Sequence, residues 1–195
     1  MKPDSLPFIF ISACLINNFV LIMFLGICPF LGVSGRRDTA LRMGVAVIFV
    51  MVICSMCTCG INYVLDHPKI NAPYLKLMCY IVVIASAVQL VEMFIKKTSP
   101  ALFKALGIYL PLITTNCAIL ALALFQTSKG YNLVQSLVYA VAAGLGFTLA
   151  LVIMSGIREE LDLADVPDVI RGTGLALMLA GILSLAFMGF AGLGG

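Results

Sequence analysis

Two cysteines in this chain stand beside residues that break helices, and thiols in such settings can hold a metal. Cys28 lies in Leu25-Gly26-Ile27-Cys28-Pro29-Phe30, near the end of an apolar run. Cys117 follows a stretch in which Gly107 and Pro111 precede Thr114, Thr115 and Asn116. A lipid-facing helix has no use for that polar cluster, because each polar group in hydrocarbon costs free energy unless it finds a partner. An iron–sulfur cluster takes four ligands, most often cysteine thiolates. Two from one chain leave the site to be completed by another subunit, with the Asn116 amide and the nearby hydroxyls placed to hydrogen-bond thiolate or sulfide. The plain alternative is that both thiols pack as small hydrophobes.

The other reactive residue types carry weaker signals. Cys54-x-x-Cys57-x-Cys59 has the look of a metal knuckle, but no turn former appears before Gly60. On a helix, positions 54 and 57 share a face and 59 points elsewhere, so these thiols, like Cys14 and Cys79, read as core filling. Asn17 and Asn18 fall inside an apolar run, where amides either join helices or line a site. Glu92 precedes Lys96 by one helical turn, which suits a surface ion pair, and an intramembrane carboxylate is also a candidate for an ion path. Arg158, Glu159 and Glu160 end an apolar run and read as interfacial. His67, between Asp66 and Pro68, reads as a solvated turn. Gly144, Gly146, Gly172, Gly174, Gly181, Gly189 and Gly192 read as close helix packing. No hydrolytic triad, zinc motif or phosphate loop is present.

The elements that must position these residues follow from composition. Of 195 residues, 62% are hydrophobic and 11% charged, and the mean hydropathy is +1.13. Such a chain is an all-α integral membrane protein, with no room for a soluble domain. No basic patch interleaved with aromatics points to nucleic acid. The apolar runs predict six spans, at roughly 7–30, 42–65, 74–95, 101–125, 132–157 and 173–193. Ile11-Ser12-Ala13-Cys14 resembles a lipoprotein cleavage box, but too few apolar residues precede it for a secretory segment, so the first run is expected to remain as a helix. Arg36, Arg37, Arg42, Lys96, Lys97, Lys104, Arg158 and Arg171 fall on one side, against Lys2, Lys69, Lys76 and Lys129 on the other. The side richer in Lys and Arg is cytoplasmic, which places both termini outside.

Dividing six spans into halves of about 1–97 and 98–195 makes the halves thread the membrane in opposite directions. That is the layout of a 3+3 inverted-topology repeat, in which interrupted helices build a site near the midplane. Cys28 falls on the first span of one half and Cys117 on the first span of the other. Straight helices would keep the two apart: Cys28 would sit about 30 Å along its span, at the inner face, with Cys117 about 20 Å from that face. They meet only if one or both of helices 1 and 4 are interrupted. Gly26, Pro29, Gly107 and Pro111 are the residues for such breaks.

The stretches LGICPFLGVS (25–34), LGIYLPLITTNCAIL (106–120), IREEL with ADVPDVIRG (157–172) and SLAFMGFAGL (184–193) resemble the RnfA/NqrE family of membrane subunits, over essentially the whole length. The resemblance implies a six-helix inverted repeat in a bacterial cytoplasmic membrane, with both termini outside. It implies a [2Fe–2S] cluster shared with a homologous subunit of opposite orientation (RnfE in the Rnf complex), each chain giving two cysteines, here Cys28 and Cys117. It further implies iron–sulfur and flavin-bearing partner subunits, and electron relay from ferredoxin towards NAD coupled to sodium or proton movement. The isolated chain is expected to have no activity and no catalytic residue of its own. Pro29 and Thr115 favour the Rnf branch over the sodium-pumping NADH:quinone oxidoreductase branch. A different class also stays open: a small inverted-repeat permease in which Asn17, Asn18, Thr114, Thr115, Asn116 and Glu92 form a solute or cation site. A bare assembly scaffold is the third reading.

Overall fold

The computed structural model describes residues 5–65, 73–98, 110–164 and 172–190. His67 and its loop, the start of the fourth run with Lys104 and Gly107, the 165–171 loop and residues 191–195 lie outside them. Every regular element among the described residues is helical. In chain order these are α1 (Leu6–Ile11), a π-helical turn (Ser12–Ile16), α2 (Ile27–Val33), α3 (Arg37–Leu65), α4 (Pro73–Thr98), α5 (Leu110–Thr114), α6 (Cys117–Ser128), α7 (Leu133–Asp162) and α8 (Thr173–Met188). Three stretches, Arg37–Tyr63, Leu77–Phe94 and Leu133–Asp162, are long and apolar enough to cross a membrane. Leu6–Ile16, Leu112–Ser128 and Thr173–Met188 are shorter apolar helices.

The core is the crossing of α3 and α7, the two helices in most extensive contact. Both are uninterrupted by proline, and α7 starts from a capping box in which Asn132 and Gln135 satisfy each other's backbone N–H groups. Without a hydrophobic driving force between helices in lipid, close approach depends on small residues. A Cβ on Gly44 of α3 would come 2.4 Å from Thr148 Cγ2, and one on Gly144 of α7 would come 2.7 Å from Ile48 Cγ1. The contact is reciprocal: each helix sets a glycine against the residue one turn beyond the other's glycine. Gly144→Val is expected to force the helices apart and destabilise the protein by about 2–3 kcal/mol. Its thermal midpoint in detergent would report this, and an unchanged midpoint would mean that the crossing is loosely packed. Outward, α4 presents Met78, Val82, Leu90, Met93 and Phe94, the dress of a lipid-facing helix.

At the end of the bundle opposite Arg37 and Arg158, a buried polar knot ties the helices together. Ser55 Oγ donates to Gln126 Oε1 at 2.9 Å, and Gln126 Nε2 donates back to Ser55 O at 3.1 Å. Tyr80 donates to Asn62 Oδ1, and Asn62 Nδ2 donates to Thr127 Oγ1 at 2.9 Å. Each of these polar groups has a partner, as burial in apolar surroundings requires.

Two segments are interrupted. After α1 the chain passes through a π-helical turn, closed by the Asn17 N–H to Ser12 O bond of 2.7 Å, and then runs without helix to Gly26. The second break is Thr115–Asn116, between α5 and α6. Breaks in the first and fourth apolar runs were expected, but the first does not open where the breakers stand. It opens at Asn17. Pro29 lies inside the first turn of α2, where a backbone N–H has no intrahelical partner to lose. The proline starts a helix and does not end one.

Candidate functional site

Asn18 holds the first break in shape. It is fully buried, and its carboxamide is saturated. Nδ2 donates to Cys14 O at 3.1 Å and to Gly146 O at 2.8 Å, and Oδ1 accepts from the backbone N–H groups of Val20 and Leu21 at 3.0 and 3.4 Å. One side chain thus bonds back to the π-helical turn, fastens it to α7 and starts the following turn. Gly146 is small for this reason: a Cβ there would lie 2.7 Å from Cys14 O. Phe19, next in the chain, stacks on Phe125 and meets Tyr139 edge-on. Asn17 Nδ2 donates to Ser12 Oγ at 3.0 Å. The Asn18 bond to Gly146 O joins the first break to α7.

The break ends at Gly26, whose φ of +78° lies in the left-handed region that glycine enters without steric cost. Its N–H donates to Cys117 Sγ at 2.9 Å. The two breaks therefore adjoin, and Cys117 stands beside the turn from which Cys28 leads into α2. A Cβ at Gly26 would meet Phe147 Cε2 at 2.7 Å and Asn116 Oδ1 at 3.2 Å. Gly26→Ala thus combines a left-handed penalty of about 1–2 kcal/mol with a steric clash. The expected total is about 2–3 kcal/mol, read as a lower thermal midpoint together with faster alkylation of Cys117. Unchanged values for both would mean that the turn relaxes without cost.

Asn116 is the N-cap of α6: its Oδ1 accepts from the Ala118 N–H at 3.0 Å. Its Nδ2 is buried and has no hydrogen-bond partner among the described residues. A buried donor left unmet costs about 1–3 kcal/mol and so marks a place where an acceptor is expected. Cys117 opens α6 at its N-terminal end, where the unpaired backbone N–H groups and the helix dipole favour negative charge. Thr114 ends α5 half-buried, and Thr115 stands exposed in the break.

Exposure separates the seven cysteines. Cys28 and Cys117 are exposed, Cys54 is buried, and Cys14, Cys57, Cys59 and Cys79 are half-buried. Cys59 accepts from Gln126 in the polar knot, at 3.7 Å. Among the described residues no three His, Cys, Asp or Glu side chains gather as a metal site. Glu92 is half-buried on α4, which packs against α5 and α6; no described hydrogen bond joins it to the cysteines. Phe147 and Arg158, which the structure places around the Cys28 turn, carry no local sequence signal for that role. Arg158 does not merely sit at the interface: its Nη1 donates to Leu31 O and Ser34 Oγ at the far end of α2.

Apolar membrane-length helices, two adjoining helix breaks, and an exposed thiol in the helix that follows each break mark a helical membrane protein. The chain belongs to the Rnf-Nqr family, described as "Rnf-Nqr subunit, membrane protein", which it matches over residues 7–194. It is 55% identical over 189 residues, covering 97% of each chain, to the A subunit of the ion-translocating oxidoreductase complex of Syntrophotalea carbinolica. It is 51% identical, over 97% of its length and 98% of the relative's, to the A subunit of the Na(+)-translocating ferredoxin:NAD(+) oxidoreductase complex of Acetobacterium woodii. The corresponding subunit of the ion-translocating oxidoreductase complex of Escherichia coli O1:K1 is 50% identical over 95% of each chain.

Proposed function

We propose that this chain is the A subunit of an ion-translocating ferredoxin:NAD oxidoreductase in a bacterial cytoplasmic membrane. Cys28 and Cys117 supply two of the four ligands of a [2Fe–2S] cluster, and a homologous RnfE-like subunit supplies the others. The observation that carries this reading is the Gly26 N–H to Cys117 Sγ bond, which sets Cys117 against the turn that leads, two residues on, to Cys28; both thiols are exposed. The residues fit such a group. Both thiols are exposed, each lies in the first turn of its helix, and the buried Asn116 amide beside Cys117 awaits an acceptor. The names borne by relatives at 50–55% identity support the Rnf branch over the Nqr branch.

The chain spans the membrane six times as a 3+3 inverted repeat with both termini outside. The reciprocal Gly44–Thr148 and Gly144–Ile48 contacts support this, because a two-fold axis through the α3–α7 crossing generates that pairing. When bound, a [2Fe–2S] cluster supplies one-electron transfer inside the membrane. The chain's own residues do the rest: Cys28 and Cys117 hold the iron, the Gly26 N–H fixes Cys117, and Asn116 caps the helix that presents it. Phe147 and the buried face of the first break keep water away from beneath. Other subunits, iron–sulfur and flavin-bearing, complete the route between ferredoxin and NAD, with ion movement coupled to it.

Electron paramagnetic resonance on the reduced, purified complex tests the proposal. One [2Fe–2S] signal is expected to vanish in Cys28→Ser and again in Cys117→Ser, with all subunits still present. Survival of every signal in both variants would sink the cluster reading and bring the permease reading forward.

A further inference from the structure

Seven residues are too few to hold a helix on their own, since isolated helices below about 12–15 residues are marginal in water. The position of Cys28 on α2 (Ile27–Val33) therefore depends on what holds that helix: its buried face of Pro29, Phe30 and Val33, and polar contacts at its two ends. One end is the Gly26 contact with Cys117 Sγ. At the other, Arg158 of α7 donates from Nη1 to Leu31 O at 3.0 Å and to Ser34 Oγ at 2.8 Å. Leu31 is among the last four residues of α2, whose carbonyls have no partner within the helix, and Ser34 is fully buried. The adjacent Glu159 holds the far side of the same turn. Its Oε1 accepts the Arg37 backbone N–H at 3.0 Å, and its Oε2 lies 2.5 Å from Arg37 Nε. That ion pair is well exposed and therefore weakened by solvent. The half-buried Arg158, bonded to a buried hydroxyl and an otherwise orphaned carbonyl, is the firmer anchor.

We infer that Arg158 is a positioning residue for Cys28, acting through α2, and that its fixed charge raises the reduction potential of the site formed by Cys28 and Cys117. The second half of this inference rests on the cluster reading. At a rise of about 1.5 Å per residue, α2 places the guanidinium roughly 10 Å from Cys28. A cation at that distance, at an effective dielectric constant of about 20, favours the state carrying one more electron by on the order of tenfold. For a one-electron couple, tenfold corresponds to about 59 mV.

The test is a potentiometric resonance titration of the complex carrying Arg158→Gln, Arg158→Lys or Arg158→Ala, together with the rate of Cys28 alkylation in complex stripped of iron. Arg158→Gln keeps a donor and loses the charge; a signal of normal intensity with a midpoint lower by about 59 mV is expected. Arg158→Lys keeps the charge and is expected to restore the midpoint. Arg158→Ala loses both, and a lowered midpoint, a weaker signal and faster alkylation are expected. An assembled complex in which neither Gln nor Ala moves the midpoint or the alkylation rate overturns the inference. So does a drop in yield with both readouts unmoved. If the wild type lacks any signal dependent on Cys28, the cluster reading fails separately. The alkylation rate alone then decides the positioning role, and an unchanged rate in Arg158→Ala overturns it.

Discussion

Serine at position 28 or 117 is expected to abolish ferredoxin-driven NAD reduction by the complex while leaving the complex assembled. Serine keeps the size of the side chain but replaces a soft thiolate with a hydroxyl that iron in such clusters binds poorly. Both positions are exposed within this chain, so the fold itself should lose little, within about 0.5 kcal/mol. The contrast lies with the half-buried Cys57 and Cys79. Their serine variants are expected to cost about 1 kcal/mol in packing and to keep the activity. Steady-state NAD reduction in membrane vesicles, with subunit content measured in parallel, reads the difference. Full activity in both Cys28→Ser and Cys117→Ser would end the relay assignment, and equal losses in all four variants would show general sensitivity to serine.

Asn18→Ala is expected to destabilise the protein more than any surface change. The substitution leaves Cys14 O, Gly146 O and the N–H groups of Val20 and Leu21 without the partner they share. A single unmet buried group costs about 1–3 kcal/mol. Hydrogen bonds between helices in membranes are worth less, averaging about 0.6 kcal/mol, so about 3 kcal/mol in all is a fair total. For a chain of this size that lowers the thermal midpoint by about 6–12 °C. Asn18→Asp keeps the acceptor for Val20 and Leu21 but replaces two N–H donors with at most one O–H and buries a carboxyl group, and should do little better. The permease reading expects something different from Asn18, namely lost transport in a protein of normal stability. Thermal melting of the two variants in detergent, beside transport assays, separates these outcomes.

Much of this architecture is legible in the residues themselves, because hydropathy and loop charge are local properties. The apolar runs at 42–65, 74–95 and 132–157 correspond to α3, α4 and α7, and the two cysteines beside breakers are the two that the fold leaves exposed. What stays hidden depends on distant partners. Gly26 and Pro29 mark the first break, yet it opens at Asn17, because the carboxamide of Asn18 finds acceptors and donors that make an unwound chain tolerable there. No helix propensity encodes a carbonyl of Gly146. Arg158 and Glu159 show the same limit. As a charged pair at the end of an apolar run they read as interfacial, and only the fold brings them to the turn between α2 and α3. The six-span count rests on the apolar runs and the orientation on loop charges, whereas the sharing of a cluster with a second subunit comes from the resemblance.

The bond from Asn18 to Gly146 joins residues 128 positions apart, and this bears on how the chain is made. At synthesis rates of about 5–20 residues per second, Gly146 leaves the ribosome roughly 6–26 s after Asn18. The other fastenings of the first segment, to Cys117 and to Arg158, are also drawn from chain that is still unmade. For that interval the carboxamide and the unwound backbone around it have none of their final partners from later in the chain. Exposed polar backbone is not tolerated in hydrocarbon, so the nascent segment enters the bilayer in some other form, and a continuous helix satisfies its own backbone. This early segment then takes its final shape only after later ones have been made, unwinding when α7 arrives to receive it.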